Sequence, residues 1–408
     1  MELKVDTDPA EVGFDARRLD RIREHFARYV DDGRLPGWLT VVTRRGKVAY
    51  LARHGHRDVE AGLDVEVDTR WRIFSMTKPI TSVAAMMLYE EGAFELTDPI
   101  ARWLPEFAEP RVFVKGSALN PVTEPATEPI RVWHLLTHTA GLTYGFHHAH
   151  PVDAIYRANG FEWGTPPGAD LAECSRRWAE LPLVFQPGSE WNYSVASDVL
   201  GRLVEVVSGQ PLDEFFARRI FEPLGMAHTG FATDSVDDLA ALYVPDPADG
   251  KAVRNDAFGQ VGRSAPACLS GGGGLVSIAE DYHRFTQFLL RGGELDGERL
   301  LGPRTVALMT SNHLPGGVDL ESYGRPLFAE MPFHGFGFGL GFSVLENPVA
   351  AKSLSSKGEY AWGGAASTAF WVDPAEEITV SFFTQLLPSS THPIRQYLRQ
   401  LVYQALVD

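Results

Sequence analysis

Ser75 and Lys78, in Ser75-Met76-Thr77-Lys78, put a hydroxyl and an amine three residues apart. The apolar run from Pro79 to Leu88 follows, and Glu91-Gly92 supplies a helix stop, so the pair sits where a helix begins. Positions i and i+3 share one helix face, so the amine can reach the hydroxyl and act on its proton. A serine hydroxyl is a weak nucleophile until a base takes that proton. Lysine serves as the base only as a neutral amine, a form favoured by burial and by the positive end of a helix. No other Ser-x-x-Lys occurs in the 408 residues.

Two further segments have residue types that complete such a site. Tyr193, in Trp191-Asn192-Tyr193-Ser194, lies between the Pro187-Gly188 turn and a helix expected from Ser197 or Asp198 to Ser208. Its phenol is a second candidate base, with a half-buried structural tyrosine as the alternative reading. The residues do not rank Lys78 against Tyr193, and two coupled groups can share one proton. Trp362-Gly363-Gly364-Ala365 precedes an expected strand, Ser367 to Val372, and its glycines permit close backbone approach. Tyr144, Phe146, Trp163 and Phe185 fall in a long aromatic and Pro-containing stretch, Thr143 to Pro187, of the kind that lines sites. Each is a candidate pocket wall.

Other chemistry is less well supported. His147, His148 and His150 cluster, but a tetrahedral metal site needs three or four ligands at workable spacing, and nothing nearby supplies the rest. We expect no metal and no cofactor. His138 reads as a hydrogen-bonded structural histidine. Gly271 to Gly274 read as a tight crossing rather than a phosphate loop.

The elements that must position these residues lie mostly at the two ends. Ala16 to Val30 is amphipathic, with Leu19, Ile22, Phe26 and Val30 at helical spacing. Trp38 to Thr43 and Val48 to Leu51 flank Gly46 as a hairpin. Near the other end, Phe336 to Val344, Ser367 to Val372 and Ile378 to Thr384 read as strands. Helices are expected at Ala279 to Arg291 and Pro393 to Leu406, and between the ends at Leu212 to Ile220. The fold class is therefore α+β. One antiparallel sheet forms from residues 1–95 and 265–408, and a mostly helical domain, 96–264, is inserted with the site at the interface.

Bulk properties narrow the partners. A net charge of −16 argues against nucleic acid and anionic membranes, which are bound through basic patches. Two cysteines, Cys174 and Cys268, suit a reduced compartment, with one disulfide left open. The first residues do not read as a secretory signal, and no stretch approaches a membrane span. We expect a cytoplasmic enzyme acting on a small molecule, with its oligomeric state open.

The ordered set Ser75-x-x-Lys78, Tyr193 and Trp362-Gly363-Gly364 resembles the serine β-lactamase and penicillin-binding superfamily. Trp133 to Leu142, Phe221 to Met226 and Trp371 to Pro374 are similar to further stretches of that group, so the likeness runs from about Val12 to the C-terminus. Within it, the chain looks most like the class C β-lactamase-like esterases, the family VIII carboxylesterases. The superfamily's Tyr-x-Asn is here Tyr193-Ser194-Val195, and its Lys-Thr-Gly is here Trp362-Gly363-Gly364. The Asn and Lys that help hold a lactam's amide and carboxylate are thus absent. The resemblance implies a β-lactamase-like fold and an acyl-enzyme on Ser75. It also implies oxyanion donors at the N–H groups of Ser75 and Ala365, and a pocket for neutral esters at Trp362, Gly363 and Gly364, to which the loop reading adds Tyr144 and Phe146 as candidate substrate-binding residues. It leaves an acyltransferase, an amidase or β-lactamase, and a non-catalytic penicillin-binding-like protein as alternatives. The Gly-x-Ser-x-Gly elbow of other esterases is absent.

Overall fold

A computed structural model describes residues 3–325 and 332–408. Its centre is an eight-stranded sheet drawn from both ends of the chain. The first end gives β1 (Gly37–Arg44), β2 (Lys47–Asp58) and the edge strand β3 (Leu63–Asp64). The second gives β4 (Phe336–Phe338), β5 (Ser343–Leu345), β6 (Tyr360–Gly363), β7 (Ala369–Asp373) and β8 (Ile378–Phe383). Their order is β4-β5-β6-β7-β8-β1-β2-β3, and every pairing is antiparallel. The two ends meet where β1 pairs with β8, with Val42 opposite Val380.

Alternation along the strands makes two cores, because successive side chains leave opposite faces. Trp38, Val42, Trp371, Val380 and Phe382 join one core; Leu39, Val41, Phe370, Val372 and Phe383 join the other. The first face is covered by α1 (Ala16–Asp31), through Leu19, Ile22 and Phe26, and by the C-terminal helix Ile394–Tyr403, through Leu398 and Val402. The second is covered by α2 (Thr77–Glu90), with α3 (Ala196–Ser208) packed on it, and by α4 (Ala279–Leu290). Every residue of α2 from Thr77 to Leu88 is buried, so its polar members Thr77, Lys78, Thr81 and Ser82 must find partners inside the protein.

Several sequence expectations need correction. Phe336 to Val344 is two strands, not one: Gly339 to Phe342 reverses the chain, and Gly341 takes φ +98° with no room for a Cβ against Ser82. The strand expected from Ser367 begins at Ala369, because Ser367 is in a turn at φ +67°. The helix expected over Leu212 to Ile220 is α-helical only to Phe216 and continues as a wider π turn to Phe221. The middle of the chain also holds two hairpins, Arg111–Gly116 with Pro121–Pro125 and Tyr243–Pro245 with Ala252–Arg254. Trp71–Arg72 pairs with Val276–Ser277, which brings the Gly271–Gly274 run beside Ser75. Cys174 and Cys268 are both free and buried. Among the described residues, no helix is long and apolar enough to cross a membrane.

Candidate active site

Ser75 lies in a single 3-10 turn, Phe74–Met76, that leads directly into α2. The preceding Phe74 takes φ +42°, a strained value for a side chain of that size. The turn's own bonds come from the N–H groups of Met76 and Thr77 rather than from Ser75. The Tyr282 hydroxyl, on α4, donates to the Met76 carbonyl and braces the turn from below (3.0 Å).

Lys78, one helical turn on, is 2% exposed. Its Nζ donates to Ser75 Oγ (3.2 Å) and to the Gly272 carbonyl (2.6 Å). The same nitrogen lies 4.5 Å from the Tyr193 ring centroid and 5.4 Å from that of Tyr144. Among the described residues no carboxylate comes within ion-pairing distance of it. The amine is therefore held by a carbonyl dipole, a hydroxyl and two aromatic rings, a setting that fixes its position without committing its proton to an acid.

Gly272 is gripped from both sides. Its N–H donates to Asp198 Oδ1 (3.0 Å), which also accepts from Ser270 Oγ. A Cβ on Gly272 would lie 2.5 Å from Asp198 Oδ2, and one on Gly271 would lie 2.7 Å from the Ser197 carbonyl. Only glycine lets this run lie against the first turn of α3. Burial pushes the Asp198 carboxyl up, and the nearby Lys78 ammonium pulls it back. The crossing read from the sequence is therefore also a support for Lys78. Neither Asp198 nor the Gly272 carbonyl was visible in the sequence, since more than seventy positions separate the partners.

Tyr193 is buried just before α3. His147 Nε2–H donates to its carbonyl (2.7 Å), and its hydroxyl accepts from Trp362 Nε1–H (3.4 Å). Next to it, Ser194 Oγ lies 3.2 Å from His138 Nδ1. The His138 ring packs against Tyr193, Trp191 and Phe338, and burial holds its pKa well below the usual value. A neutral, bonded structural histidine fits this place.

Trp362 lies on β6 opposite Phe370, and its ring meets those of Tyr193 and Phe338 at 5.4 Å each. The close approach permitted by the two glycines is to protein. A side chain on Gly363 would collide with the Arg395 guanidinium, and one on Gly364 with Thr368 Oγ1 and the Ile73 carbonyl. Gly364 thereby brings the strand end, with Ala365 next in the chain, to the turn that carries Ser75. The bonds of this second turn run from Gly364 N–H to Thr368 O and from Ser367 N–H to Gly364 O, and neither uses Ala365 N–H.

Of the four aromatic candidates from the long loop, three come together. Tyr144 lies 5.3 Å from Tyr193 and stacks on Phe146 (4.6 Å), which stacks on Trp163 (4.8 Å). Phe185 is buried elsewhere, beneath the Arg325 guanidinium. The histidine cluster also separates. His147 holds Tyr193, His148 faces Glu162 at 3.6 Å, and His150 Nδ1 accepts from Val152 N–H to cap the helix Pro151–Ala158. Among the described residues, no group of three or more His, Cys, Asp or Glu is placed to hold a metal ion.

Comparison with known proteins identifies the family and the fold. The Beta-lactamase family model matches residues 22–404. Protein Rv1367c of Mycobacterium tuberculosis is 38% identical over 378 residues, covering 91% of this chain and 90% of that one. Esterase EstB of Burkholderia gladioli is 32% identical, with 97% and 98% covered. Among solved structures, EstCE1, described as a hydrolase with promiscuous acyltransferase activity, superposes with a TM-score of 0.80 at 30% identity, covering 97% of this chain and 99% of that one. The chain belongs to the Beta-lactamase family, as a serine hydrolase or acyltransferase of that fold.

Proposed function

We propose that the chain is a serine carboxylesterase that hydrolyses small to medium neutral esters through an acyl-enzyme on Ser75. The observation that carries this reading is the Lys78 amine, 3.2 Å from Ser75 Oγ and 4.5 Å from the Tyr193 ring. Ser75 Oγ attacks the ester carbonyl carbon while its proton passes to the Lys78–Tyr193 pair. The oxygen that becomes negative is met by the N–H groups of Ser75 and Ala365, which neither turn engages. The C–O bond to the alcohol then breaks, and Tyr193 returns the proton to the leaving alkoxide. Water, deprotonated by the same pair, attacks the acyl carbon, and Ser75 Oγ leaves and recovers its proton. Ester and water are consumed; acid and alcohol are released. In this scheme Ser75 and Lys78 come from before residue 96 and Tyr193 from the inserted segment, so the site lies between the two domains.

Trp362 favours esters over lactams. An indole stands where the wider superfamily usually has a lysine, so a substrate carboxylate finds no cation there, and a neutral apolar group finds a ring. Acyl transfer is the second reading, supported by the description of EstCE1. An acceptor alcohol competes with water for the same acyl-enzyme. The test is turnover of p-nitrophenyl esters from acetate to dodecanoate beside nitrocefin, with and without an added alcohol. Ester turnover at least about 100-fold above nitrocefin is expected. The reverse order would make the protein a β-lactamase.

A further inference from the structure

The reading above places the alcohol half of the ester next to Tyr193, the residue that protonates it on departure. From Tyr193 a continuous row of rings leads outward. Tyr144 follows at 5.3 Å, Phe146 at a further 4.6 Å, Trp163 at 4.8 Å and Phe258 at 5.8 Å. Tyr144, Phe146 and Trp163 form one pile, with interplanar angles of 20° and 14°. Phe258 meets Trp163 edge-on at 79°.

The row starts at the buried Tyr193 and reaches the surface at Trp163: Tyr144, Phe146 and Phe258 are half-buried, and Trp163 is 43% exposed. An indole left this open, three rings out from Tyr193, is apolar area that a ligand can cover.

Beyond Tyr193 the rings come from three separate segments, and bonds hold the first and the last of them. Gly145, between Tyr144 and Phe146, lies so close to the Phe161 carbonyl that no Cβ fits, and its own carbonyl accepts from Arg157. His147 ties the same turn to Tyr193. Arg72, buried beside the Ser75 turn, donates to the carbonyls of Gly259 and Val261 and so anchors the segment that carries Phe258. A guanidinium three residues from the nucleophile thus fixes the outer end of the row.

We propose that this row is the subsite for the alcohol half of the substrate and selects a flat, apolar alcohol, aryl-alkyl or fused-ring, over a short alkyl one. Stacked rings present their electropositive edges sideways, and an aromatic face laid on such edges gains the edge-to-face geometry that aromatic pairs prefer. This inference rests on the esterase reading and adds the side of the substrate that the aromatic wall recognises.

The test varies one half of the ester at a time. Wild type, Trp163→Ala and Phe258→Ala are compared on 2-naphthylmethyl acetate and ethyl acetate, which share an acyl group, and on ethyl 2-naphthylacetate, which moves the ring to the acyl side. The expected result is that each substitution lowers the kcat/KM ratio of naphthylmethyl acetate to ethyl acetate by about tenfold. The ratio of ethyl 2-naphthylacetate to ethyl acetate should stay within about twofold. Equal loss on all three esters, or loss confined to the naphthyl acyl group, would overturn the proposal. Should a variant fold poorly, Trp163→Leu keeps apolar volume without the ring and reads the same ratios. Calorimetric binding of 2-naphthylmethanol to the resting protein tests the subsite without chemistry. Binding weakened about tenfold by Trp163→Ala supports it even if no ester turns over, and unchanged binding overturns it.

Discussion

At the scale of single residues, the candidate site sets the groups proposed to react beside groups that hold them. Ser75, Lys78, Tyr193 and Trp362 were legible because their types, spacing and order mean something without a structure. Asp198 was not, although it grips Gly272 and Gly272 grips Lys78. The signal is a contact between distant segments, and no local pattern encodes it. Asp198 acts through Gly272, as a positioning residue. Asp198→Ala should lower kcat by about 100-fold, the usual size for a misplaced catalytic group, with KM within about threefold. Asp198→Asn keeps an acceptor oxygen for the Gly272 N–H and should recover most of the loss. Equal damage from both substitutions would instead point to the carboxylate's charge. His147 was likewise read only as a loop residue, and its bond to the Tyr193 carbonyl depends on a 46-residue separation that the sequence does not show.

At the scale of elements, long periodic segments were readable and short ones were not. The amphipathic helix near the start and β1 appear within one residue of expectation, because each repeats its pattern several times, whereas β2 runs seven residues past its expected end at Leu51. The pairing of Trp71–Arg72 with Val276–Ser277 involves two residues a side, too few for any period, yet it sets the Gly run beside Ser75. Gly364 acts at the same scale, closing β6 onto the Ser75 turn. Gly364→Ala should push these elements apart, lowering stability by about 1–3 kcal/mol and kcat/KM by at least about tenfold; urea unfolding and ester kinetics measure the two effects. The short helix Val132–Leu136 adds a pH dependence. His134 Nδ1 accepts the Arg131 N–H at its start, and burial, helped by Arg131, lowers the imidazole pKa from 6.5 to about 4. The unfolded chain therefore binds this proton first. The stabilisation is complete above pH 6.5 and is lost as pH falls from 6.5 towards 4, by up to about 3 kcal/mol. Urea midpoints at pH 7 and 4.5 should differ accordingly, and the difference should shrink in His134→Asn.

At the scale of the whole molecule, the sheet closes the chain upon itself, and the pairing of β1 with β8 joins the end that carries Ser75 to the end that carries Trp362. The strand-rich ends pointed to that closure. The short internal hairpins were missed because Pro and Gly break their patterns. The C-terminal helix is clamped to the sheet by Arg399, whose guanidinium meets the fully buried Glu359 at 2.8 Å, one residue before β6. Arg399→Met should strand that carboxylate and lower stability by about 3–5 kcal/mol, measured by urea unfolding, with Trp362 loosened in consequence. The central claim is that Ser75 is the nucleophile, and the most direct measurement is intact-protein mass after reaction with an alkyl fluorophosphonate. The account predicts one phosphonate adduct on the wild-type chain, located at Ser75, and none on a folded Ser75→Ala variant that has also lost ester hydrolysis. Full labelling of Ser75→Ala, or ester turnover surviving in it, would contradict the account.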